Sequence, residues 1–84
     1  MKKEADYFEG HEPQLIYIAK KLKDALRLEN VLDAAGVDFG VETDEYQGGF
    51  VFRSMRTGAF FYVLEESREA AVAAMLANGY IPAK

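Results

Sequence analysis

The chain predicts an α+β two-layer sandwich with the element order β-α-β-β-α, and three observations lead to that expectation. Short apolar runs rich in β-branched and aromatic residues alternate with two stretches whose apolar residues recur near every 3.6 positions. Glycines punctuate the ends of both periodic stretches, at Gly36 and Gly79. Eighty-four residues make one domain with one core, because a chain this short buries only about 60–65% of its extended surface.

The elements follow in order. Residues 1–14 carry six charged side chains together with Gly10 and Pro13, and read as a flexible polar leader that Tyr7 and Phe8 could pin to the body. Residues 15–84 are the single domain. Leu15-Ile16-Tyr17-Ile18-Ala19 is a short uninterrupted apolar run, which favours a buried strand over a helix. From Leu22 to Ala35, an apolar stripe of Leu22, Ala25, Leu26, Leu28, Val31, Leu32 and Ala35 predicts an amphipathic helix. Val37, Phe39, Val41 and Thr43 alternate with Asp38, Gly40, Glu42 and Asp44, the period of a strand with one wet face. Ala59 to Glu65 is the next strand. Ser67 is the expected N-cap of the second helix, with Glu69 in its first turn and Ala71, Val72, Met75 and Leu76 on its buried side. Tyr80-Ile81-Pro82 leaves room for a stub of strand at most.

A β-α-β start implies a parallel crossover that puts both helices on one face of the sheet. The result is the ferredoxin-like arrangement, an antiparallel sheet with two helices on one face and the last strand short or missing. In that arrangement the strand before the second helix opposes the first. Gly48-Gly49 is then a bulge in one long bent strand from Val37 to Arg53 rather than a hairpin turn, although both readings suit a glycine pair.

Composition removes several function classes. Net charge is −4 with pI near 4.9, which argues against binders of nucleic acid or membrane surfaces that work by bulk positive charge. There is no cysteine, hence no disulfide and no thiolate metal site, and the single histidine cannot build a histidine cluster. No apolar run approaches the ~20 residues that span a bilayer, so a soluble cytoplasmic protein is the default expectation. No cofactor motif is present; Gly48-Gly49 is not followed by the Lys-Ser/Thr of a phosphate loop.

From Leu15 to Leu76 the chain resembles a family of small bacterial signal-transducing proteins related in fold to the C-terminal part of the nitrogen regulator PII. The matching residues are the first apolar strand, Asp24-Ala25, Val31-Leu32, Ala35-Gly36-Val37, Gly48-Gly49, Glu65-Glu66 and Ala70-Ala71. The resemblance implies a regulatory or binding role and no established chemistry. Phe50 to Gly58 is longer than that family usually carries. A fainter likeness links Ile16-Tyr17-Ile18 and Gly49-Phe50-Val51-Phe52 to the two short motifs of RNA-recognition domains, whose aromatics stack bases. Gly58-Ala59-Phe60-Phe61-Tyr62 has the better spacing to the second helix but matches that motif less well.

Few constellations carry chemistry. Lys20, Lys21 and Lys23 stand where the first strand meets the first helix, against the helix dipole, and free helix amides plus cations suit an anion. If Val37 to Arg53 is one strand, Arg53 and Arg56 join them. The plainer reading is a set of solvated surface cations. Glu42 and Asp44 share a strand face, yet solvated carboxylates are their commoner role. His11 lies in the leader without an orienting partner, and neither Ser54 nor Ser67 sits in a nucleophile motif, so no enzymatic activity is expected. The dense aromatics cannot all face one core. Tyr17, Val51, Phe60 or Tyr62 would reach the helix-free face, which a homodimer or the folded-back leader would cover.

Overall fold

The computed structural model describes residues 1–43 and 58–83. Gly48, Gly49, Arg53 and Arg56 lie outside them, as do Asp44, Phe50, Val51 and Ser54. The bulge-or-turn question at Gly48-Gly49 therefore also lies outside the described residues.

Among the described residues, three strands and two α-helices form the body: β1 (Gln14–Ala19), α1 (Leu22–Ala34), β2 (Gly40–Thr43), β3 (Ala59–Val63) and α2 (Glu65–Ala77). The sheet order is β1-β3-β2, and both pairings are antiparallel. β1 and β2 thus run the same way on either side of β3, and the strand before the second helix opposes the first, as the element order predicts.

Register decides which side chains meet. Phe61 of β3 lies between Tyr17 and Val41, and Phe60 lies between Ile18 and Glu42. The β1 register slips between Leu15 and Tyr17, which inserts Ile16 as an extra residue. Without the slip, alternation would send Ile16 and Tyr17 to opposite faces. With it, Ile16 is fully buried and Tyr17 also packs on the core. Tyr17 was expected among the residues that reach the helix-free face; it lies on the helix side instead.

The core is one cluster shared by Ile16, Phe61 and Val63 of the sheet, Leu28 and Leu32 of α1, and Ala71 and Met75 of α2. Phe39, just before β2, stacks on Phe61 with ring centroids 6.0 Å apart. Both helices end in the same motif. The Val37 N–H donates to Leu32 O and the Gly36 N–H to Asp33 O; likewise Tyr80 donates to Met75 O and Gly79 to Leu76 O. The αL residue is glycine each time, with φ of 74° at Gly36 and 85° at Gly79. The next residue, Val37 or Tyr80, is driven straight into the core.

Three sequence expectations are corrected. Leu22, Leu26 and Leu76 were assigned to buried stripes but are 75%, 50% and 59% exposed. At 3.6 residues per turn, Ala25, Leu28 and Leu32 define a narrow arc, and Leu22 and Leu26 sit about 60° and about 100° beyond its edge. Leu76 is displaced in the same way from Ala71 and Met75. Ser67 does not cap α2: Leu64 holds the N-cap position, and Ser67 is the third helical residue. The chain enters the helix directly from β3 because Leu64 is buried, while Glu65 and Glu66 supply the acidic first turn. The alternating run from Val37 shortens to β2 proper because Phe39 pairs on its other side with the N-terminal residues.

That pairing shows where residues 1–14 go. Phe39 N–H donates to Met1 O, and Lys3 N–H donates to Phe39 O, a parallel bridge on the β2 edge. A 3₁₀ turn, Ala5–Phe8, then carries Phe8 over Gly40. A Cβ on Gly40 would come 2.5 Å from the Phe8 ring, so this position needs glycine for close approach. At the other edge, Ala83 N–H donates to Ile16 O of β1, the one bond to the sheet edge that the C-terminal segment makes among the described residues.

Two stability outcomes follow. Leu28→Ala should cost about 2–5 kcal/mol in urea unfolding, whereas Leu26→Ala and Leu76→Ala should each stay within about 1 kcal/mol of wild type. Gly40→Ala would normally help a strand, but here it should cost about 1–3 kcal/mol, and most of that cost should vanish in a Phe8→Ala background.

Candidate functional site

The two sides of the sheet differ in kind. The inner side is sealed by helices. On the outer side stand Leu15 and Ile18 of β1, Phe60 and Tyr62 of β3, and Gly40 and Glu42 of β2, as the register requires. Leu15, Ile18, Phe60 and Tyr62 are all half-buried, and Glu42 is exposed. Among the described residues neither α-helix covers this side; the N-terminal segment reaches it, with Phe8 on Gly40.

Where the N-terminal segment crosses the sheet, a cleft of about 360 Å³ opens between them. Lys3, Phe8 and Pro13 line it from one side; Gly40, Val41, Glu42 and Tyr62 line it from the other. Phe8 stands edge-on to Tyr7 at 5.1 Å, and the Lys3 ammonium lies 5.3 Å from the Tyr7 ring centroid, so the wall is braced by its own aromatic contacts. Burial pushes the Tyr62 phenol above its ordinary pKa, and the nearby Glu42 carboxylate adds to the rise. Tyr62 therefore presents a hydroxyl, not a phenolate, at neutral pH. Among the described residues the cleft offers one cation, one anion and one hydroxyl on an otherwise apolar lining.

A second polar cluster ties the helix side together. Tyr17 O–H donates to Asp24 Oδ2 at 3.0 Å, and Tyr80 O–H donates to the Asp24 carbonyl at 3.3 Å. The two rings meet edge to face at 5.1 Å. The Arg27 guanidinium lies 4.9 Å from the Tyr80 ring centre and donates to Asn78 O at 3.1 Å. Burial, then the hydrogen bond to Asp24, then its charge all raise the Tyr17 pKa. Tyr80 is raised mainly by burial, with Arg27 pulling the other way. The contacts join β1, the start of α1 and the C-terminal segment, which is a structural role. The seven-residue spacing from Tyr17 to Asp24 across a tight strand–helix turn is the only signal of this cluster in the sequence.

The lysine group stands as follows. Lys20, Lys21 and Lys23 are exposed around the turn into α1, and Lys21 occupies the N-cap position without a side-chain cap bond. Ala19 and Thr43 both pair with Ala59, so the chain leaves β2 and enters β3 at the end of the sheet where these lysines stand. Arg53 and Arg56, expected to join them, lie outside the described residues. Glu42 faces the outer side, and its expected companion Asp44 is likewise outside them. His11 is exposed. Among the described residues no three His, Asp or Glu side chains gather as a metal site, and no helix is long and apolar enough to cross a membrane.

Comparison with family models, with curated proteins and with solved structures finds no match for this chain.

The aromatic cluster makes a pH prediction. Unfolded phenols ionise near pH 10, and folded Tyr17 and Tyr80 hold their protons to higher pH. The unfolded chain then binds fewer protons, so stability is whole below about pH 10 and falls as pH rises through and beyond it. Urea unfolding between pH 8 and 11 should show this decline. Tyr17→Phe should flatten it and cost about 1 kcal/mol at pH 7 through the lost hydrogen bond.

Proposed function

We propose that this chain is a small non-enzymatic binding module of ferredoxin-like type, regulatory in role, that engages its ligand or partner on the helix-free side of the sheet. The observation behind it is the asymmetry of that sheet: half-buried aromatic and aliphatic side chains lie beside an open cleft on one side, while the other is filled by helices. A rigid three-stranded platform with an apolar, polar-edged recess is suited to holding a molecule, and nothing in it requires a reaction. The resemblance of residues 15–76 to small bacterial signal-transducing proteins points the same way, and a cytoplasmic location belongs to that reading. A second copy meeting through the outer side would cover Ile18, Phe60 and Tyr62 with C2 symmetry. A small anion at Lys20, Lys21 and Lys23, joined by Arg53 and Arg56, is a companion ligand site of the same proposal.

One observation favours a second reading. Phe60 and Tyr62 share the outer side of the central strand, the placement from which sheet aromatics stack bases of single-stranded nucleic acid. Net charge −4 and the Glu42 carboxylate opposite Phe60 oppose it.

Light scattering and a low-salt RNA titration separate these readings. The binding-module reading expects a protomer or homodimer of the 9.4 kDa chain, with association weakened by Phe60→Ser on the outer side if a dimer forms. It also expects no saturable binding of single-stranded RNA at low ionic strength, where attraction to phosphate is strongest. Tight RNA binding lost on Phe60→Ala would replace it with the second reading. Saturable inorganic phosphate binding, detected by amide shifts at Lys20 to Lys23 and lost in a Lys20→Gln, Lys21→Gln double variant, is the outcome expected for the anion site.

A further inference from the structure

The cleft beside the N-terminal segment is lined by two opposite charges, Lys3 on one wall and Glu42 on the other. The criterion for an ion pair is contact within about 4 Å, and among the described residues neither side chain makes one, with the other or with any third group. Lys3 is held by the Tyr7 ring, and Glu42 is exposed. Between them the lining is Phe8, Pro13 and Tyr62, with the β2 backbone at Gly40 and Val41 as floor, the Val41 side chain itself turning to the core. A cation and an anion that share one recess without closing on each other complement a molecule that carries both charges. The apolar lining complements a hydrocarbon or aromatic group on the same molecule. The volume of about 360 Å³ falls at the lower end of small-ligand sites and suits a small molecule.

Resting on the binding-module reading above, we propose that this cleft takes a small zwitterion with an apolar side chain, a free amino acid being the simplest case. Its carboxylate is met by Lys3, its ammonium by Glu42, and its side chain by Phe8, Pro13 and the Tyr62 ring. Phe8 sets the width of the recess, because its ring already occupies the space above Gly40.

The test is an amide-shift titration of the full chain at pH 7 with L-leucine, L-phenylalanine and the doubly neutralised N-acetyl-phenylalanine amide. Saturable shifts at Gly40, Val41, Glu42 and Tyr62 with the two zwitterions are expected, in the millimolar range appropriate to an open, partly solvated site. Glu42→Gln and Lys3→Gln should each weaken binding about three- to five-fold, the worth of one partly exposed charge contact. Equal binding of the neutralised amide overturns the zwitterion and leaves the cleft as the binding site. No shift at these four residues with any of the three probes overturns the cleft as a small-molecule site. The platform reading then stands or falls on the association and RNA measurements alone.

Discussion

Phe61 is the side chain on which the rest of the molecule is assembled. It is fully buried in the middle strand, with Tyr17 and Val41 beside it in the sheet and Phe39 stacked on it. A central strand is the one element that must satisfy neighbours on both edges and a core on one face at once. Each neighbour of Phe61 brings in a different part of the chain: Tyr17 brings β1 and the Asp24 cluster, Val41 brings β2, and Phe39 brings the N-terminal segment.

The helix ends serve the same core. In each, the N–H after the glycine returns to the carbonyl five residues back, and the residue carrying that N–H becomes a core side chain. One capping motif thereby stops the helix and aims the chain. Val37 is aimed so that Phe39 reaches the stack two residues later. Tyr80 is aimed so that its hydroxyl reaches Asp24 and the chain continues along β1 to Ala83. Burial of about one large residue per helix end also adds apolar area that a domain this small cannot spare.

The N-terminal segment links architecture to the proposed function. It pairs with Phe39 on the β2 edge, which removes part of an open strand edge, and it lays Phe8 on Gly40. The outer side is therefore neither bare nor sealed. The cleft exists because the segment crosses the sheet at one margin and is held there by its own aromatic pair, leaving Glu42 and Tyr62 facing Lys3 across a gap.

Much of this is legible in the sequence. The strand at 15–19, the helix starting at Leu22, the glycine stops at 36 and 79, and the strand beginning at Ala59 follow from local periodicity and from the conformations that glycine alone adopts easily. The antiparallel relation of the strand before α2 to β1 followed from connectivity. Periodicity did not reveal how wide an arc of each helix would be covered, since Leu22, Leu26 and Leu76 fit the period as well as Leu28 does. Coverage depends on what lies opposite. The register slip at Ile16 was likewise invisible: a continuous apolar run looks the same with or without an extra residue, yet the slip turns Tyr17 toward the helices. The candidate cleft was the least legible feature, because Lys3, Phe8, Gly40, Glu42 and Tyr62 come from three distant segments and none of them forms a motif. Sequence by itself determined the elements and their polarity, which are properties of neighbouring residues. Only the tertiary structure decided which apolar faces are used and how Lys3 and Glu42 come to line one cleft, because those depend on contacts between residues far apart in the chain.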